Sequence, residues 1–489
     1  MRTILVNLLR LGGMQLVIAG TAIVRNKVLA LRLGPDGFGE FMQLTLIVLS
    51  AAVIAAFGFG MSLNRNVAAA ASDEERQRLL AQANAVNLTL AALILLVLLP
   101  AVLLRPQLLS VVGLTTEPAV VLALVILAAV VPLEAAVQHR VAFLTGVLDI
   151  KGMTAGRSLA LALGTATGVP IVWLFGLAGA AVQVTLLTLM ILLLLDQRCR
   201  RIGFRPWALT FDPHTMRVLA GFGLASLTAG FALQLSDVLV RSALIRDTGL
   251  AQNGIYQAAL SITHQVKAIV LGSVGSYALA TLSHEVTRER VIETSNRLLS
   301  AVLPIAAVAL AALGLLSGPA LVVLYSADFL AAQRVLPWLL SADFLHVTIW
   351  VLGAPLLALG RVRVWLVLEL VYLCARVAAS LTLLPVFGVV GIAIGHALAT
   401  TLHLLLTGGY YVLAFRFSVA PRNVALGAAG LGAVMVASWR GAQVTFDATT
   451  YMFGLAGIVA FGLACLHIVF GLPEAFRWAR RRARAGGKA

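Results

Sequence analysis

Leu33-Gly34-Pro35-Asp36-Gly37-Phe38-Gly39-Glu40-Phe41 joins two long apolar segments near the N-terminus, and its pattern returns 215 residues later as Thr248-Gly249-Leu250-Ala251-Gln252-Asn253-Gly254-Ile255-Tyr256. Under that shift Gly34 meets Gly249, Gly39 meets Gly254 and Phe41 meets Tyr256. The correspondence continues past the turn: Gly60 falls on Gly275, and the charged run Asp73–Arg78 falls near His284–Arg290. A repeat of this length implies two copies of one multi-helix unit, and internal duplication in a membrane protein points to a transporter.

Composition sets the solvent. The 489 residues are 61% hydrophobic and 11% charged, against about 25% charged in soluble domains. Apolar runs near 20 residues follow one another almost without interruption, each long enough to cross a ~30 Å hydrocarbon core at about 1.5 Å per residue. Met1 to Ala22 has the charge and apolar character of a secretory signal, but Arg10 interrupts it, and it reads as a retained first spanning helix. Cys199, Cys374 and Cys465 have no metal-ligand spacing and an odd count, so they read as packing residues. The net charge of +16 reads as topology-determining Lys and Arg beside helix ends rather than a nucleic-acid surface, since exposed basic and aromatic loops are missing.

The apolar runs predict fourteen helices, at about 10–32, 39–62, 81–104, 118–140, 154–174, 177–195, 217–244, 254–281, 297–325, 335–358, 363–384, 389–415, 423–439 and 450–471. Tight turns near Phe175-Gly176 and Pro385-Val386-Phe387-Gly388 make antiparallel neighbours of the segments they join. With the N-terminus in the cytoplasm, 26 of the 36 Lys and Arg fall on the cytoplasmic side, 5 on the other and 5 within helices. That bias fixes the orientation with both termini cytoplasmic. The 215-residue shift carries the first helix onto the seventh, an even step, so the repeats are parallel. The expected organisation is an all-α polytopic membrane protein: a six-helix lobe over 1–200, a cytoplasmic linker at 201–216, a second six-helix lobe over 217–416, two appended helices in 417–472 and a basic tail at 473–489.

An Arg or Lys at the centre of a spanning helix costs about 2.5–3.5 kcal/mol, several times what a Leu returns, so each such charge calls for a reason. Arg25, Lys27 and Arg32 lie toward the outer end of the first helix, where either snorkelling or function accounts for them. Asp237 and Arg241 are four residues apart in the seventh segment, spaced for an internal salt bridge or for a substrate site. His264 and Lys267 share a face in the eighth, and Lys267 has no acidic residue within one turn. Glu369 and Arg376 share a face in the eleventh, two turns apart, each free to pair with a neighbouring helix. The five cations within helices, Arg25, Lys27, Arg241, Lys267 and Arg376, against Asp237 and Glu369 predict a cavity that favours an anion. The sequence holds neither a GxxxxGK[ST] phosphate loop nor an HExxH metal motif, and no Ser, His and Asp cluster can be assembled. We therefore expect no catalytic residues, no metal and no cofactor. A membrane-embedded glycan polymerase or ligase would need a large outer loop, and the outer loops are short.

In Leu33–Gly39, the Gly58-Phe59-Gly60 helix end and Asn64-Arg65-Asn66-Val67-Ala68, the chain resembles the polysaccharide-transporter family of lipid-linked oligosaccharide flippases, within the multidrug/oligosaccharidyl-lipid/polysaccharide exporter superfamily. Ser236–Arg241 and Gly254-Ile255-Tyr256-Gln257-Ala258 are similar to the corresponding second-half region. The resemblance implies a V-shaped two-lobe transporter that moves a polyprenyl-pyrophosphate-linked oligosaccharide to the outer leaflet of the bacterial plasma (inner) membrane. It implies that cavity cations hold the pyrophosphate, with Arg25, Asp237, Arg241 and Lys267 as the positions carried over. Lys27, His264, Glu369 and Arg376 complete the candidate set. The expected partners are the lipid-linked substrate, membrane lipids and a glycan polymerase or glycosyltransferases, without nucleic acid. A lipid II flippase and a cation-coupled multidrug exporter are the alternative readings.

Overall fold

The computed structural model describes residues 2–282, 288–359, 361–443 and 448–470. Among them the chain is helical without strands, and each of the fourteen apolar segments falls within helical structure. The basic run Arg477–Arg484, the tail 473–489 and the His284–Thr287 part of the second charged run lie outside the described residues. Among the described residues, ten helical segments have the length and hydropathy to cross a membrane. Three of those ten contain breaks: Pro118–Gly146 is interrupted at Ala129, and Gly34 and Gly176 adopt non-helical backbone with φ 65° and 55° inside Arg2–Ala55 and Ile150–Arg201. Glycine is the residue that enters this region without steric cost.

Gly176 turns its helix back on itself. A Cβ on Gly168 would meet the Gln183 side chain and one on Gly164 would meet Leu187, so four residues backward on one arm match four forward on the other, as antiparallel packing requires. The same holds at Gly388, after which Gly391 lies against Leu383 and Gly395 against Ser380. Both expected hairpins are present. The fourth segment is divided into Pro118–Ala128 and Val130–Gly146. Pro132 explains the division, since it has no N–H for the Ala128 carbonyl.

Helix starts follow local capping chemistry. Ser72 accepts from the Glu75 N–H while the Glu75 carboxylate accepts from the Ala71 N–H, a reciprocal cap close to the Ser-x-x-Glu pattern. Asp212 accepts from the His214 and Thr215 N–H groups ahead of Pro213–Thr248, with proline in the first helical position.

The chain divides into two compact units. One contains the residues up to Ala258 together with Val323–Phe329 and Glu369–Gly395; the other contains Ala259–Val322, Leu330–Leu368 and the chain from His396. In the first, Phe59, Leu63, Phe143 and Leu195 are buried together in one core cluster, and Leu44, Leu124, Leu127 and Val130 in another. In the second, Val291, Leu352, Tyr411 and Phe417 form a cluster in which Tyr411 donates to the Leu352 carbonyl. Outward, large apolar side chains are left uncovered: Leu413 is 86% exposed and Phe453 75%. Stripes of this kind on long apolar helices belong against lipid, and the protein is a multi-pass membrane protein.

Two sequence expectations change. Arg140, at the end of the predicted helix 118–140 and so expected at the membrane surface, is fully buried on Val130–Gly146, where its Nε donates to Asp196 at 2.7 Å and its Nη1 to Asn84 at 2.6 Å. Cys199 and Cys465 are buried as expected, whereas Cys374 is exposed.

Candidate functional site

The repeated turns lie against each other. A Cβ on Gly39 would collide with the Leu250 carbonyl and Gly254 nitrogen, and one on Gly254 with the Pro35 carbonyl. Gly34 and Gly249, the paired turn glycines, share one backbone conformation, with φ 65° and ψ −176° against φ 91° and ψ 170°. Next to this crossing, buried Asn253 donates from Nδ2 to the Gly39 carbonyl at 2.7 Å and accepts at Oδ1 from Arg241 Nε at 3.0 Å. The close backbone approach and the arginine are thus held by one amide.

Arg241 is the inner edge of a larger cluster in the same unit. Arg376, on Val362–Phe387, donates from Nη2 to Ser236 Oγ at 2.6 Å and to the Asp237 carboxylate. The spacing of Asp237 and Arg241 suits an internal bridge or a substrate site; the bridge is not formed, since the carboxylate is taken by Arg376 from a neighbouring helix and Arg241 turns to Asn253. Asp237 remains close enough to act on Arg241 electrostatically, and Tyr256 feels Arg376, Asp237, Tyr372 and Arg241 together. Arg241 and Arg376 are only 5% and 6% exposed, and Arg241 Nη2 and Arg376 Nε are buried without a hydrogen-bond partner. Leaving a buried donor unmade costs about 1–3 kcal/mol, more for charged groups. Two guanidinium groups against the one Asp237 carboxylate leave the cluster with a net charge of one and two N–H donors unmade.

The other candidates are distributed differently. Arg25, half-buried, lies near Tyr325, whose hydroxyl accepts from Asn26 at 3.2 Å. Lys27 is half-buried one turn from Leu31 on the same helix. Arg32, exposed, donates to the Trp173 carbonyl at 2.9 Å, the placement of an interfacial anchor. Glu369 is half-buried and forms no ion pair among the described residues, so Arg376 finds its partner in Asp237 instead.

Lys267 and His264 belong to the second unit. Lys267 Nζ donates to Asp343 Oδ1 at 2.5 Å. The absence of an acid within one turn of Lys267 therefore does not leave it unpaired; the acid comes from 76 residues away. The expected excess of buried cations shrinks accordingly, with Asp343 on Lys267 and Asp196 on Arg140. Asp343 carried its own signal, a carboxylate in the middle of the apolar run 335–358. Asn253 carried none, being a neutral residue just beyond a turn.

The sequence profile of a family described as polysaccharide biosynthesis protein matches residues 4–279. Two relatives called lipid III flippase, from Escherichia coli (strain K12) and Shigella flexneri, are each 24% identical over 266 residues, which is 53% of this chain. The chain spans 64% of the length of these curated relatives. Among solved structures, the lipid II flippase MurJ in its inward closed conformation matches with TM-score 0.69 at 12% identity, over 94% of this chain and 98% of that one. The inward-facing conformation of a multidrug resistance MATE family transporter of the MOP superfamily matches with TM-score 0.68 at 16% identity, over 82% and 96%. At these identities the likeness is one of fold.

Proposed function

Because the chain belongs to the polysaccharide biosynthesis protein family, we propose that it is a flippase for a polyprenyl-pyrophosphate-linked oligosaccharide, carried from the cytoplasmic to the outer leaflet by alternating access for cell-surface polysaccharide biosynthesis. The proposal places it in the bacterial inner membrane with both termini cytoplasmic, on the 26 to 5 bias of its Lys and Arg. It keeps the division into lobes 1–200 and 217–416.

The single observation that carries the reading is the pair of buried guanidinium donors, Arg241 Nη2 and Arg376 Nε, that have no protein acceptor. Phosphate oxygens are the acceptors that planar guanidinium groups match. A cation exporter would place unpaired carboxylates where this chain places unpaired N–H groups. Lipid II, also a pyrophosphate-linked saccharide, would satisfy the same donors, so the glycan rather than the headgroup separates that reading from the first.

Reconstitution in liposomes with a labelled lipid-pyrophosphate sugar tests the proposal. Label is expected to reach the opposite leaflet, and Arg241→Gln or Arg376→Gln to slow it at least tenfold, while Arg246→Gln, an exposed control, leaves it unchanged. Equal rates in all four proteins would sink the headgroup assignment. Running the assay with a peptidoglycan-type and a neutral oligosaccharide headgroup decides the substrate class.

A further inference from the structure

Three helices of the second unit each bring two titratable side chains to one place. His264 and Lys267 are one turn apart on Leu250–Leu282, Asp343 and His346 one turn apart on Leu336–Ala358, and His396 and His403 two turns apart on Val389–Phe415. At the centre is the 2.5 Å pair of Lys267 Nζ and Asp343 Oδ1. Asp343 is 3% exposed, and its second oxygen, Oδ2, is buried without a hydrogen-bond partner. The carboxylate lies within electrostatic reach of His264 and His396 as well as Lys267, and His346 within reach of Lys267, Asp343, His403 and His264. The cluster is not a metal centre: among the described residues no group of His, Cys, Asp and Glu has the geometry to hold an ion.

A lysine clamped by a buried carboxylate is not available to an anion. Its charge is cancelled, and a phosphate that took the ammonium would strand Asp343 as an uncompensated buried anion, a strongly unfavourable state. Asp343 must first gain another cation. The histidines are the side chains whose unperturbed charge change falls between pH 5 and 8. Of the four, His264 is the exposed one, while His396 and His403 are buried and His346 is half-buried. A proton from solvent therefore reaches His264 most readily, and the imidazolium it makes is close to Asp343, whose Oδ2 has an acceptor position to spare.

We propose that Lys267 is a proton-linked anion site: protonation of His264 gives Asp343 a second cation, and Lys267 is released to a phosphate oxygen of the substrate. The charges balance. Lys267, Asp343 and neutral His264 sum to zero; the added proton makes the set +1, and the incoming phosphate charge returns it to zero. Nothing is oxidised and no bond other than the N–H on His264 is made. By linkage, proton and anion each tighten the binding of the other. The anion is assigned as a pyrophosphate diester on the flippase reading above; the coupling of proton to anion is the new element.

The test is calorimetric, on the full chain in lipid nanodiscs. The probe is a short-chain prenyl pyrophosphate esterified with one neutral sugar, so that neither phosphate titrates near pH 7 and no sugar carboxylate competes. Titration in two buffers of different ionisation enthalpy gives the protons taken up per ligand bound. Wild type should take up a proton fraction rising toward one above pH 7, and its affinity should fall by up to about tenfold per pH unit there. His264→Gln should bind more weakly than wild type at pH 6, with no proton uptake and no pH slope. His264→Arg, which fixes the cation, should bind at pH 8 as wild type does at pH 6, a gain that poor folding cannot produce. Binding without proton uptake, or uptake unchanged in His264→Gln, overturns the proposal and leaves the flippase reading standing. A probe that binds at no pH overturns both.

Discussion

Gly39 and Gly254 pack backbone against backbone, and each stands in its half of the chain where the other stands in its own, 215 residues away. Their further contacts are exchanged in the same way: Gly39 meets Leu250 and Gly254 meets Pro35, again 215 apart. Reciprocal contacts of this kind arise where two like surfaces meet across a two-fold axis. Here both surfaces belong to one chain, as the parallel repeat predicts.

An alanine at either glycine must push two helix backbones apart. Gly39→Ala or Gly254→Ala is expected to cost on the order of 1–3 kcal/mol, the range for overpacking a close contact. Gly60→Ala, where an added Cβ meets nothing within 4 Å, should leave stability unchanged. Thermal unfolding in detergent reads all three, and an unshifted Gly254→Ala would mean that the crossing is looser than these contacts require.

The repeat was legible because it rests on glycines that have no substitute: φ near 65° at Gly34 and the missing Cβ at Gly39 leave a mark in the letters themselves. Spanning helices were legible for a similar reason, since lipid forces long apolar runs. Charge pairing was not. The acid nearest to Arg241 in sequence is Asp237, yet the fold delivers that carboxylate to Arg376 from 139 residues away. Lys267 likewise draws Asp343. Pairing inside a bundle is decided by which helices are neighbours, and i to i+4 spacing carries no information about that.

The Asp237–Arg376 assignment makes a prediction that separates it from the local alternative. In a double-mutant cycle, Asp237 should couple to Arg376 by on the order of 3 kcal/mol, the scale for breaking one side of a buried pair, and to Arg241 by much less. Chemical unfolding of Asp237→Asn, Arg376→Gln, Arg241→Gln and the two doubles gives both numbers. Stronger coupling to Arg241 would return the bridge to a single helix.

Asn253 should affect transport through Arg241. Asn253→Leu removes the acceptor for Arg241 Nε and the donor to the Gly39 carbonyl, each loss worth about 1–3 kcal/mol in a buried setting. Asn253→Leu should lower headgroup affinity as Arg241→Gln does, and the double variant should be no worse than Arg241→Gln alone. Additive losses would show that the two residues act separately.

Outside the membrane, Asp212 offers a pH test. Hydrogen bonds from the Thr215 side chain and backbone, then from His214, hold its carboxyl below the ordinary value of 3.8. A lowered value in the folded state stabilises the fold above the unfolded pKa and is lost as pH falls through the folded one. Asp212→Asn should therefore destabilise the helix start at neutral pH, and the difference from wild type should close as pH drops below about 4. A gap that persists unchanged at pH 3 would place the effect elsewhere than in the charge.

The energy source for net transfer follows from charge alone. A pyrophosphate diester carries two negative charges, and in a cell negative inside each is expelled with about 2.3 kcal/mol per 100 mV. Two charges give about 4.6 kcal/mol, a bias above a thousandfold toward the outer leaflet. If the proton taken up at His264 leaves with the substrate, one charge remains and the bias falls to about fiftyfold, or 2.3 kcal/mol. Potassium-diffusion potentials imposed on proteoliposomes at fixed pH, without a sodium gradient, measure the charge directly from the slope of the final leaflet ratio against voltage. Reversing the potential should slow or reverse net transfer of the labelled lipid, and His264→Gln should move the slope toward two charges. A leaflet ratio indifferent to the sign of the potential would mean that two compensating charges accompany the substrate, and electrophoretic export would be wrong.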